Sequence, residues 1–273
     1  MNNITLGQYY PAKSFIHGLD ARIKVILAIL YIVCSFLCKN IVAYSALLLS
    51  AILLILVSRI PLRMILKSLK PILFILLFTV VINMFWTDGE RLLLDWWIIK
   101  VYYEGIMNAV FIGIRIIVLI IGTSIFMTYT TTPIALTDAL ESLLSPLKIL
   151  HAPVHEFAMM ITIALRFIPI LSEETQKIMA AQKARGADFT NGSLIKRAKA
   201  LIPVLVPLFV SSFRRADELA TAMECRCYHG GKGRTRLNVP HLRVRDFVML
   251  AFVIAFGALL ILLNIYSLGY TLK

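Results

Sequence analysis

Residues 41–97 read IVAYSALLLSAILLILVSRIPLRMILKSLKPILFILLFTVVINMFWTDGERLLLDWW, and this stretch decides the fold. Its first part, residues 41–58, carries no charged side chain. An α-helix rises 1.5 Å per residue, so about 20 apolar residues cross a hydrocarbon layer of about 30 Å. A second apolar run, residues 71–86, opens on Pro71, where a first helical turn has no use for the missing N–H. Between the runs stand Arg59, Arg63, Lys67 and Lys70 with no acid; after them come Asp88, Glu90, Asp95 and Glu104 against Arg91 and Lys100. Lys and Arg collect on the cytoplasmic side of membrane spans and Trp at the interface. The basic loop is therefore expected inside, and the acidic loop, with Trp86, Trp96 and Trp97, outside.

Working outward, three further apolar runs cover residues 25–38, 106–129 and 247–268, with Tyr266 and Tyr270 at the interfacial end of the last. Lys39 and Asn40 leave a tight turn before residue 41. The expectation is an all-α polytopic membrane protein of about five transmembrane helices. The N-terminal segment carries Lys13, Arg22 and Lys24 against Asp20, which places the N-terminus in the cytoplasm and the C-terminus outside. The first 24 residues hold Gln8, Pro11, His17 and Asp20 and no early apolar core, so a cleavable signal peptide is not expected.

Composition agrees. Hydrophobic residues make up 59% and charged residues 16%, with a mean hydropathy of +0.83, whereas soluble domains carry about 25% charged residues. The net charge of +13 would suggest nucleic acid in a soluble chain. Here apolar runs separate the charges, and a lipid bilayer rather than nucleic acid is the expected partner. Cys34 and Cys38 lie in an apolar run and Cys225 and Cys227 in a segment assigned to the reducing cytosol, so no structural disulfide is expected.

Residues 131–245 break the pattern and divide the chain into residues 1–130, 131–245 and 246–273. The stretch 130–245 holds 16 Lys and Arg against 9 Asp and Glu, a net +7, and is amphipathic rather than continuously apolar. A helix is expected from Ile134 to about Ile149. A second is expected from Val154 to about Lys183, bent or divided at Pro169, and a third from the Asn191-Gly192-Ser193 break to about Glu224, interrupted at Pro203 and Pro207. Phe209, Phe213, Ala216, Ala220, Met223 and Cys227 recur at steps of four and three and make one apolar stripe. Residues 157–171 and 201–213 are apolar enough to raise the question of further spans; they are read as helices buried against the membrane domain.

Two short stretches share a design. Ala184-Arg185-Gly186 closes the second long helix and Cys225-Arg226-Cys227 the third, each after an alanine-rich approach. A cation at a helix C-terminus faces the negative end of the helix dipole, worth a few tenths to about 1 kcal/mol. Gly186 suits the left-handed conformation that stops a helix. Small neighbours leave the guanidinium open, and its fixed donors suit bidentate recognition of carboxylates or carbonyls. The plain reading of either stretch is a C-cap. In the second, glycine is missing, and Gly230 and Gly231 are expected to provide the stop.

The wider context is more specific. Leu165-Arg166-Phe167-Ile168-Pro169 through Glu173, Glu174, Ala181 and Gln182 to Gly186 resembles a hallmark of the T components of energy-coupling factor (ECF) transporters. Pro203 to Pro207, residues 212–220 and Ala222-Met223-Glu224 resemble its second hallmark, which usually ends in Ala-Arg-Gly where this chain has Cys225-Arg226-Cys227. The resemblance implies long crossed cytoplasmic coupling helices. It implies two cytosolic ATPase subunits (EcfA and EcfA′-like) that bind ATP and Mg, and a membrane S component, possibly interchangeable, that binds a vitamin. This chain would be a non-catalytic subunit in the plasma membrane of a bacterium, without a cofactor of its own. Ala184, Arg185, Gly186, Cys225, Arg226 and Cys227 would dock the ATPases. A second apolar surface with Phe209, Phe213, Met223, Met159, Met160 and Ile163 would hold the S component or seal the helices against the chain's own spans.

Other signals are weaker. Cys225, Cys227 and His229 lack a fourth metal ligand and the usual zinc spacing, so no metal is expected. Arg115 in the fourth span either snorkels, meets a carbonyl, or contacts Asn83 or an acid. His151 and His155 flank Pro153 and read as loop residues. A stand-alone channel or membrane-embedded enzyme would need paired intramembrane acids or histidines, which the apolar runs lack, and no phosphate-binding Gly-x-x-x-x-Gly-Lys-Ser/Thr element is present.

Overall fold

The computed structural model describes residues 9–86, 92–96, 99–150, 152–189, 193–230 and 241–266. Among the described residues, eight α-helices run in the order α1 (Ala21–Leu37), α2 (Ile41–Ser58), α3 (Leu62–Trp86), α4 (Tyr103–Thr123), α5 (Pro133–Leu143), α6 (Val154–Ala184), α7 (Leu194–Glu224) and α8 (Val244–Ile265). A π-helical turn, Ser124–Tyr129, continues α4, and a 3-10 turn, Ser145–Leu150, follows α5. Before α4 lies an antiparallel hairpin of β1 (Leu92–Trp96) and β2 (Ile99–Tyr102). The expected all-helical membrane architecture is present. Five described helices are long and apolar enough to cross a bilayer: α2, α3, α4 with its π turn, α6 and α8. The membership differs from expectation, because α6 qualifies while α1, at 17 residues, reaches only about 26 Å.

The chain forms two compact units, residues 7–139 with 239–273, and residues 140–238. In the first, α1 packs against α4 and α8. Ile23, Leu27, Tyr31, Cys34 and Cys38 recur along one side and are buried. Lipid tails are as apolar as leucine, so such helices associate by close backbone approach at small residues. Gly122 of α4 and Gly257 of α8 provide it. A Cβ on Gly122 would lie 2.2 Å from the Tyr31 ring, and one on Gly257 would lie 3.1 Å from Cys34 Sγ. The Tyr31 ring meets Phe126 edge-on at 6.3 Å, and its hydroxyl shares a 3.1 Å hydrogen bond with Ser50 of α2.

Polar clasps close the two ends of this bundle. At one end buried Asp246 accepts from the backbone N–H of Asp20 (2.9 Å) and of Arg243 (2.7 Å), while buried Lys24 donates to the Thr130 carbonyl at 2.7 Å. At the other, Asn264 donates to the Leu37 carbonyl and Asn40 to that of Leu263. These bonds make α1 and α8 parallel. Arg115 donates to the Cys38 carbonyl and the Tyr44 hydroxyl, and its guanidinium lies over the Phe36 and Tyr44 rings. Among the readings left open for Arg115, a carbonyl partner is therefore present.

Several helix boundaries correct the sequence reading. Pro71 lies inside α3 rather than at its start, so Arg63, Lys67 and Lys70 are helical. Pro169 does not divide α6, and Pro203 and Pro207 do not interrupt α7; both helices run 31 residues. Pro207 follows Pro203 by four, so its missing N–H is the one that would have met the Pro203 carbonyl. The lesion stays within adjoining turns and intact hydrogen bonds flank it. α5 stops at Leu143 rather than near Ile149, where the chain tightens into the 3-10 turn around Pro146. His155 is helical, in the first turn of α6, and bonds Glu141 at 3.0 Å. Asp88, Glu90, Trp97, His151, Asn191, Gly192, Gly231 and Tyr270 lie outside the described residues.

Gly122→Ala is expected to destabilise the protein by about 1–3 kcal/mol, because the Tyr31 ring is buried and cannot yield. The thermal midpoint of the detergent-solubilised chain measures it. Adding Tyr31→Leu should recover part of the loss, and an unchanged midpoint for Gly122→Ala would contradict the close packing.

Candidate functional site

The two arginine-bearing helix ends have the same hydrogen-bond pattern. At the end of α6, Ala187 N–H donates to the Gln182 carbonyl and Gly186 N–H to that of Lys183, both at 3.0 Å. At the end of α7, Tyr228 N–H donates to the Met223 carbonyl at 3.1 Å and Cys227 N–H to that of Glu224 at 2.8 Å. A six-to-one bond enclosing a five-to-two bond is the Schellman motif, which satisfies the last helical carbonyls. It needs one left-handed residue. Gly186 takes it in the first (φ 87°) and Cys227 in the second (φ 55°).

The expectation that Gly230 and Gly231 end α7 is thus corrected: Cys227 itself turns the chain. Gly230 also has positive φ (91°), but it lies three residues further on. Residue type does not signal this, since cysteine in the left-handed region carries a steric cost of about 1–2 kcal/mol. Arg185 and Arg226 occupy equivalent places, each directly before the left-handed residue. Ala184, Arg185, Gly186, Cys225, Arg226 and Cys227 are all exposed, and the two thiols are free. Neither guanidinium forms an ion pair with a described residue.

A polar contact fastens the helices that carry these tips to each other. Glu174 of α6 accepts from Arg215 Nη2 and from Ser211 Oγ of α7, both at 2.7 Å. A bidentate set of this kind, with one charge-assisted bond, is stronger than a neutral contact. Arg185 stands eleven residues beyond Glu174, and Arg226 eleven residues beyond Arg215. Each tip is therefore about 16 Å of helix from the fastening. Beyond Arg215, α7 runs back along the first half of α6. There Ile163, Phe167, Met223 and Tyr228 line a cavity of about 480 Å³ with Arg215 and Glu224.

The apolar surface assigned from sequence divides in two. Ile163 and Met223 face the cavity between α6 and α7 and are half-buried, as is Met159. Phe209, Phe213 and Met160 are exposed, at 63, 68 and 55%, and the two rings lie 5.9 Å apart. The exposed set extends along α7 through Ile195, Ile202 and Val206. The stripe of Phe209, Phe213, Ala216, Ala220 and Met223 is continuous, but its second half faces α6 and its first half faces outward.

The chain matches the family model of the cobalt transport protein CbiQ over residues 12–237. It is 51% identical to the energy-coupling factor transporter transmembrane protein EcfT of Clostridium kluyveri over 249 residues, 91% of this chain and 92% of that one. The protein of the same name from Ruminiclostridium cellulolyticum is 49% identical over 264 residues, 97 and 98% of the two chains. That from Bacillus subtilis is 44% identical over 264 residues, 97 and 99%.

Cys227→Gly is expected to stabilise the protein by up to about 1 kcal/mol, and Gly186→Ala to destabilise it by about 1–2 kcal/mol. Thermal midpoints of the two variants read the signs directly. A destabilised Cys227→Gly would mean that the thiol makes contacts which outweigh its backbone strain.

Proposed function

The chain belongs to the CbiQ and EcfT family, the transmembrane components of energy-coupling factor transporters, and on that premise we propose that it links ATP hydrolysis by two cytosolic ATPase subunits to vitamin uptake through a separate S component. In this reading Arg185 and Arg226 each enter a groove of one ATPase. ATP and Mg are bound there, and this chain does no chemistry. The observation that supports it most is the matched pair of tips: the same capping geometry, the same exposed arginine and the same eleven-residue distance from Glu174–Arg215. Two like sockets on paired ATPases call for two like plugs. Between each tip and the fastening no proline interrupts the helical hydrogen bonds, so displacement of a tip reaches the fastening with little loss.

The exposed stripe with Phe209, Phe213 and Met160 then holds the S component, and half-buried Met159, Ile163 and Met223 set the spacing of α6 and α7 behind it. When the ATPases move the tips, the helices turn about the Glu174–Arg215 fastening and carry the S component with them. The N-terminus and the net +7 segment lie in the cytoplasm, and the C-terminus outside.

Arg185→Glu combined with Arg226→Glu should abolish co-purification of the ATPases and uptake, while either single change leaves a weaker complex. Removing one partner of a buried charge pair costs about 2–5 kcal/mol. Full ATPase recovery and normal uptake by the double variant would remove the docking model. For orientation, a cysteine placed at Asp95 in a background without native cysteines should react with a membrane-impermeant maleimide from outside, and one at Lys196 only after permeabilisation. The reverse pattern would invert the topology.

A further inference from the structure

The turn before α1, the end of α2 and the start of α8 enclose an open cavity of about 1030 Å³ at one end of the membrane bundle. Its polar lining is basic. Lys13, Arg59 and Arg245 all border it, and among the described residues no carboxylate does. None of the three is paired with a carboxylate among the described residues. The nearest acid in sequence, Asp246, is buried with both oxygens committed to backbone N–H groups of Asp20 and Arg243. Asp20 caps α1 through the Arg22 N–H. The Arg245 guanidinium lies against the turn, since a Cβ on Gly18 would stand 3.7 Å from its Nη1.

His17 also lines the cavity without adding charge. Its Nε2 donates to the Tyr10 carbonyl at 2.9 Å and its Nδ1 is 2.6 Å from Ser14 Oγ. Burial lowers its pKa below the ordinary value of 6.5, which leaves it neutral at pH 7. Arg59 is held in the left-handed region (φ 55°), a strained conformation for arginine that turns the chain at this spot. The apolar members of the wall, Phe15, Leu56 and Val57, are exposed on the surface of the bundle, where acyl chains run.

Three uncompensated cations beside exposed apolar side chains at the end of a membrane bundle form a receptor for one class of ligand. We infer that this cavity binds the headgroup of an anionic phospholipid, with Lys13, Arg59 and Arg245 around its phosphodiester and Phe15, Leu56 and Val57 along its acyl chains. Basic pockets between transmembrane helices take such headgroups, and each cation near an anionic lipid contributes about a factor of five in affinity. The lipid would seat the start of α1, the end of α2 and the start of α8 together at one depth in the bilayer. This inference is independent of ATPase docking.

The test titrates the purified full chain in neutral detergent with phosphatidylglycerol, phosphatidylcholine or inorganic phosphate. The thermal midpoint is followed, and native mass spectrometry counts retained lipid. Phosphatidylglycerol should raise the midpoint and remain bound, and the other two should not. Lys13→Gln with Arg245→Gln should weaken phosphatidylglycerol about thirtyfold, whereas Lys199→Gln with Arg214→Gln, which removes the same charge elsewhere, should leave it unchanged. Equal response to phosphatidylcholine overturns the proposal, as does an equal effect of inorganic phosphate or an equal loss in the control pair. Should the double variant fail to fold, exposed Lys13 decides alone, and undiminished lipid retention by Lys13→Gln overturns it. Protection of Lys13 from acylation by co-purified membrane partners in lipid-free detergent would make the cavity a protein interface and overturn it as well.

Discussion

Within the unit of residues 140–238, the register of α6 against α7 is fixed by a polar fastening, Glu174 with Ser211 and Arg215. Both helices run 31 residues and carry long exposed apolar stretches, which set no register by themselves. A slip of one residue would rotate each helix by about 100° and turn Ile163 and Met223 out of the cavity they share. Glu174 prevents that slip by engaging Ser211 and Arg215, which stand four apart on one face of α7. The same contact places Arg185 and Arg226 at equal reach from it. On the proposed reading, this equality lets two ATPases act on one lever.

The membrane unit solves a different problem. In lipid, burying apolar surface gains little, and shape and hydrogen bonding decide which helices meet. Tyr31 against Gly122 and Cys34 against Gly257 set how closely α1 approaches α4 and α8. Asp246, Lys24, Asn40 and Asn264 supply polar clasps at the ends, where desolvation costs least. α3 has the opposite character. It buries only Ile65 and exposes Leu73, Phe74, Ile75, Leu77 and Phe78, as a helix at the lipid boundary does.

The helices of the membrane unit were legible because a bilayer imposes a simple requirement, about 20 apolar residues between charges. Residues 41–58, 106–129 and 247–265 satisfy it and are helical. Proline is a weaker signal than its chemistry suggests. Pro71 reads as a helix start and Pro203 and Pro207 as interruptions, yet each is inside a helix, where neighbouring turns hold the chain across a missing bond. The pairing of β1 with β2 is not legible, because acidic residues in a loop signal orientation rather than strand pairing. At the helix tips, the role of Gly186 as a left-handed stop followed from residue type, while that of Cys227 did not, because no rule of composition singles out a cysteine for positive φ. The Glu174–Arg215 pair was equally invisible: the two residues are 41 apart and look like ordinary solvated charges.

The charge exchange Glu174→Arg with Arg215→Glu tests the central claim, that this fastening makes α6 and α7 one lever, most directly. Uptake per ATP hydrolysed is measured in vesicles holding the assembled transporter. The account predicts that each single change lowers the ratio severalfold while the ATPases remain bound, and that the exchanged pair restores a substantial part of it. A wild-type ratio in both single variants would contradict the account.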